Sequence, residues 1–99
     1  MRFLIWLSTE CKSLAEVAGA IKQGGHEVGI LLVQDGVFLA DKGCSYSEEL
    51  APLGVPVYVS REHVEARGIA DRLAIEVEFV DYPQMAELIM EQYDRVICF

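Results

Sequence analysis

Covalent chemistry in this chain would fall first to its three cysteines, Cys11, Cys44 and Cys98. A thiolate is both the nucleophile and the sulfur acceptor, so each needs a position that exposes it and favours the anion. Cys11 stands just before a predicted helix start, where free N–H groups and the helix dipole favour a thiolate. A half-buried loop cysteine without chemistry is the plainer reading of the same position. Cys44 sits in Gly43-Cys44-Ser45, a predicted turn between helical pieces, and reads either as structural or as an accessible relay thiol. Cys98, in the last apolar run, reads as a small buried side chain. An odd cysteine count without a CxxC pair argues against an oxidised framework, and two histidines supply no Cys/His zinc spacing. His26 reads as a surface turn residue and His63 as a solvated helix residue. No metal site and no catalytic constellation is evident; Cys11 and Cys44 are the weak candidates.

Several chemistries are excluded by what the spacing lacks. A Cys-x5-Arg phosphatase clamp would need Arg where Val17 and Leu50 stand. The segment after the first apolar run, Ser8-Thr9-Glu10-Cys11, is not a glycine- and hydroxyl-rich phosphate cradle, which argues against flavin mononucleotide and nucleotides. It also lacks the acidic pair of a phospho-receiver. No cofactor is expected.

The elements that must position these residues follow from periodicity. Phe3–Leu7, Val28–Val33, Val55–Val59, Ile75–Val80 and Arg95–Phe99 are short apolar runs of strand length. Between the first two, Ser13-x-x-Glu16 predicts a capping box, Leu14, Val17, Ala18 and Ile21 one helix face, and Gly24 a left-handed stop. Val37–Ala40 begins a short helix closed by Gly43, and Ser45-x-x-Glu48 a second one stopped by Pro52. Ser60 caps a helix running to Arg67-Gly68, and Asp81 caps one with Pro83 in its first turn. Strand–helix alternation predicts an α/β fold: one domain over residues 1–99, a three-layer flavodoxin-like sandwich with a five-stranded, mostly parallel sheet in the order 2-1-3-4-5. In such a sheet the site lies outside the strand C-termini. Here that means Ser8–Cys11, Gln34-Asp35-Gly36, Ser60-Arg61-Glu62-His63 and Asp81-Tyr82.

Composition agrees with a folded domain. The chain has 99 residues, 53% of them hydrophobic, enough to bury about 60–70% of the unfolded surface without staples. No apolar run approaches the length of a membrane span or a signal peptide, so a cytoplasmic location is expected. Eight Lys+Arg against sixteen Asp+Glu leave a net charge of −8 and no basic stretch, which disfavours direct nucleic-acid binding.

Three segments together carry a family likeness: Leu31-Leu32-Val33-Gln34-Asp35-Gly36-Val37, Val57-Tyr58-Val59-Ser60-x5-Ala66-Arg67-Gly68-Ile69, and Val80-Asp81-Tyr82-x-x-Met85-x-x-Leu88. In order and spacing they resemble the DsrE-like sulfur-relay superfamily, most closely its DsrH/TusB branch. The resemblance implies a subunit of a persulfide-transfer complex with DsrE/TusD-like and DsrF/TusC-like partners, as a hetero-hexamer or homo-oligomer. The complex would serve tRNA 2-thiouridine synthesis or dissimilatory sulfur metabolism. In the DsrE/TusD branch the sulfur-carrying cysteine stands eight residues before the glycine of the "RG" stop. Here that position is Ser60, which implies a non-catalytic chain. Some branch members carry a cysteine in helix 1, where this chain has Ala18, Gly19 and Ala20. The alternatives are a thiol-active carrier using Cys11 or Cys44, or a homo-oligomeric relative with a small-ligand or regulatory role.

Overall fold

Apolar runs too short to shield themselves pair side by side and bury both faces of one sheet. The computed structural model, which describes Met1–Phe99, contains strands β1 (Arg2–Leu7), β2 (Glu27–Leu32), β3 (Val57–Ser60), β4 (Glu78–Val80) and β5 (Arg95–Cys98). The helices are α1 (Ala15–Gln23), α2 (Arg61–Ala66) and α3 (Tyr82–Glu87), the last continued by a π turn, Leu88–Gln92. All four strand pairings are parallel, so the expected α/β sandwich is what forms.

The strand order differs from expectation. It is β4-β3-β2-β1-β5, not 2-1-3-4-5, because β3 pairs with β2 and β5 takes the free side of β1. Burial gives the physical reason. All of β3 is buried, as is β2 beyond Glu27, whereas β4 and β5 carry exposed Glu78 and Arg95 and tolerate an open edge. The layering follows from handedness. From β1 to β4 the chain steps in one direction, so right-handed connections share one face; the return from β4 to β5 puts α3 on the other.

Each face has its own core. On the first, Ile5, Leu7, Ile30, Leu32 and Val59 pack with Leu14 and Ala18 of the α1 region, Val64 of α2, and Val37 and Leu39 from the 3-10 helix Gln34–Ala40. On the second, Leu4, Leu31, Tyr58 and Val80 pack under Met85, Leu88 and Tyr93. The Tyr58 and Tyr93 hydroxyls meet at 3.3 Å, and burial followed by that contact pushes the Tyr93 phenol well above its ordinary range. Gly29 is required here, since a Cβ would fall on the Tyr93 ring. No helix is long and apolar enough to cross a membrane.

Caps divide instructively. Ser60 caps α2 through the His63 N–H, and Asp81 with Gln84 forms a full capping box on α3. The two boxes expected from Ser13 and Ser45 do not form. Helix α1 starts at Ala15 without a side-chain cap, and the Ser13 hydroxyl donates instead to Glu49 at 3.1 Å. Beyond Ser45 the chain makes 3-10 turns, Ser47–Glu49 and Ala51–Leu53, with Pro52 inside the second instead of ending the first. At Ser13 a tertiary partner takes the side chain away from local capping. After α1 it is Gly25 (φ +84°), not Gly24, that adopts the left-handed conformation.

Candidate functional site

The segments expected outside the strand C-termini do lie there, and the structure ties them into two groups. The first joins the ends of β2, β3 and β4. Strand β2 leads into Gln34, a non-glycine residue at φ +51°, a conformation that surrounding contacts must hold in place. Its N–H donates to His63 Nδ1 at 2.9 Å. Because Nδ1 accepts, the hydrogen-bond network assigns the neutral ring's proton to Nε2, which faces the Tyr82 hydroxyl at 3.3 Å. His63 is only 9% exposed, so the solvated helix residue expected from sequence is instead a buried strut between three strand ends. Both ring nitrogens are thus engaged in hydrogen bonds, Nδ1 with the Gln34 N–H and Nε2 with the Tyr82 hydroxyl.

Around this strut, Asp35 receives both Nε and Nη2 of Arg67 at 3.1 and 2.9 Å, tying the β2 turn to the end of α2. In sequence Asp35 falls in a strand-end segment and Arg67 at a helix terminus, 32 residues apart; the parallel pairing of β2 with β3 brings their segments together. Ser60 is 1% exposed, and its Oγ accepts the His63 N–H. The arrangement is polar, and it turns outward the Tyr82 side chain, 57% exposed, and the Asp35 carboxylate, 64% exposed.

The second group is the cysteine pair. Cys11 and Cys44 form a disulfide with Cα atoms 6.2 Å apart. This overturns the expectation against an oxidised framework: the partners are 33 residues apart, and no local spacing announces them. Their supports differ. The Cys44 turn is braced by Asp41, whose carboxylate accepts from Gly43 N–H at 2.8 Å and Arg72 Nε at 3.0 Å. The Ser47 hydroxyl lies against the Leu39, Asp41 and Cys44 carbonyls. By contrast, no residue from Thr9 to Ser13 makes a backbone–backbone hydrogen bond. Cys11 also lies four residues ahead of Ala15, outside the first turn of α1, so the helix dipole does not reach it as expected. Cys98 is exposed on the edge strand β5, where a buried residue was expected. His26 is an exposed turn residue against Phe3, on the opposite edge of the sheet.

Asp41 has a consequence for acid stability. Burial raises its pKa, but the Arg72 and Gly43 hydrogen bonds outweigh that and hold it below its ordinary value of 3.8. A carboxyl with a depressed folded-state pKa stabilises the fold above the unfolded value, and the contribution is lost as pH falls through the folded one. Urea unfolding at stepped pH should therefore show a stability loss below about pH 4 that is smaller in Asp41→Asn. Equal acid sensitivity in both proteins would contradict the assignment.

Residues 8–95 match the family model described as DsrH like protein. The chain belongs to the DsrH family. Curated relatives agree: it is 34% identical to Protein TusB of Salmonella arizonae over 86 residues, 87% of this chain and 90% of that protein. It is 32% identical to Protein TusB of Photorhabdus laumondii over 66 residues, 67% of this chain and 70% of that one. Among solved structures it resembles the ychN protein of E. coli, with a TM-score of 0.78, 19% identity and full coverage of both chains. That likeness supports the fold alone.

Proposed function

We propose that this chain is the non-catalytic DsrH/TusB-type subunit of a cytoplasmic sulfur-relay complex, acting in tRNA 2-thiouridine synthesis or dissimilatory sulfur metabolism. DsrE/TusD-like and DsrF/TusC-like chains are its partners. Ser60 carries the reading. It occupies the position that holds the sulfur-carrying cysteine in the DsrE/TusD branch, and an alcohol cannot form a persulfide. Its hydroxyl is buried and engaged as the α2 cap. Both ring nitrogens of the neighbouring His63 are already engaged, by the Gln34 N–H and the Tyr82 hydroxyl. A net charge of −8 disfavours direct contact with RNA, which leaves substrate contact to the partners.

Co-expression with DsrE-like and DsrF-like chains, a tag on one partner and mass measurement of the eluate test the reading. One assembly containing all three chains is expected. An untagged chain that stays behind as an 11.0 kDa monomer would overturn it.

A further inference from the structure

Two thiols held 6.2 Å apart at their Cα atoms, inside the span a disulfide bridges without backbone movement, cannot treat incoming sulfur independently. We propose that Cys11 and Cys44 form a discharge site for sulfane sulfur, whose substrate is the outer sulfur of a low-molecular-weight persulfide. The proposal rests on the sulfur-relay reading for the origin of that sulfur.

The chemistry balances without a further reagent once the pair is reduced. One cysteine thiolate attacks the outer sulfur of R–S–SH; a new sulfur–sulfur bond forms, the old one breaks, and R–SH leaves. The second thiolate then attacks Sγ of the first. The Sγ–Sγ bond closes, the outer sulfur leaves with the electron pair as hydrosulfide, and protonation gives hydrogen sulfide. The sulfane sulfur has been reduced and the two thiols oxidised to the disulfide present here. An external dithiol reopens the pair.

The supports of the two cysteines suit these steps. Cys44 is on a braced turn, held by Asp41, Gly43, Arg72 and Ser47. Cys11 is on a segment without backbone–backbone hydrogen bonds, held by the disulfide, the Ser13–Glu49 hydrogen bond, buried Leu14 and the packing of Cys11 itself. With the bridge open, Cys11 is free to meet a donor and return to Cys44. Both side chains are half-buried against the larger core, so the bridge closes in a defined place. A chain built this way does not store sulfur: what reaches one thiol is expelled by the other.

The test uses the full chain in a Cys98→Ser background, reduced with dithiothreitol, desalted, and given one equivalent of glutathione persulfide. Release of about one sulfide per chain is expected, with loss of two hydrogens in the intact mass and no sulfur adduct, because both thiols are consumed in exchange. At least one of Cys11→Ser and Cys44→Ser should retain a one-sulfur adduct and release about tenfold less sulfide, lacking the resolving thiol. The alanine variants replace either serine variant whose circular dichroism shows misfolding, and wild type alkylated at both thiols serves as the blank. A stable one-sulfur adduct on the intact pair, or undiminished sulfide release from both single variants, would overturn the proposal. Discharge by a chain that fails to join the three-chain assembly removes the relay reading and leaves the site standing. Normal assembly without discharge does the reverse.

Discussion

Gly36→Ala is expected to destabilise the fold by about 1–3 kcal/mol or more, the cost of forcing extra volume into a packed interior. The 3-10 helix Gln34–Ala40 runs directly over the end of β1, and a Cβ on Gly36 would collide with the Leu7 carbonyl oxygen. It would also stand 2.7 Å from the Leu7 carbonyl carbon and 3.1 Å from Leu7 Cγ. The obstacle is main chain at the end of a central strand, and the same carbonyl accepts the Val33 N–H at 3.0 Å. Neither side can yield without breaking the junction of β1 with β2, and with it the turn that carries Gln34 and Asp35. Because the φ of Gly36 is not positive, the penalty is steric, not conformational. Gly19, inside α1, is the control, because a Cβ added there would have nothing within 4 Å: Gly19→Ala should stabilise by roughly 0.5–1 kcal/mol. Urea unfolding of the two variants should therefore move the midpoint in opposite directions. Shifts of the same sign would mean that the close approach at Gly36 is not what holds this turn.

His63→Ala should cost about 2–4 kcal/mol, combining the loss of buried ring volume with a backbone donor left without an acceptor. The ring accepts the Gln34 N–H, and Gln34 holds a left-handed conformation that costs roughly 1–3 kcal/mol unless contacts over-determine it. Removing the imidazole takes away both the partner and the wedge between the ends of β2, β3 and β4. Amide hydrogen exchange reads this directly: the Gln34 amide should be protected in the wild type and exchange freely in His63→Ala. A His63→Gln variant, whose side-chain oxygen restores an acceptor, should recover part of the protection. Unchanged Gln34 exchange in His63→Ala would show that the strut is not what orders this edge.

Local patterns in the sequence predicted those features whose causes are local. Continuous runs such as Phe3–Leu7 and Val28–Val33 can be hidden only inside a parallel sheet, so the α/β class was legible. Ser60 and Asp81 stand directly before their helices, where a side-chain oxygen reaches the N–H three residues on, so both caps were legible as well. Even around β4 there was a signal to use: Glu76 and Glu78 alternating with Val77 and Phe79, on the way into and along the strand, is the pattern of an exposed edge.

Strand order is a different kind of quantity. Buried apolar strands have similar faces, and which of them pair is settled by all crossovers and both cores together, which is how β5 came to lie against β1. The same reason hid the pairs that make up the site. Cys11 with Cys44, Asp35 with Arg67, Gln34 with His63, and Ser13 with Glu49 are each separated by 29 to 36 residues. Periodicity and capping rules act over four or five residues and carry no information at that range. The residue types were in the sequence; only the packed sheet decided which of them meet, because a contact between distant segments exists only once every element between them has found its place.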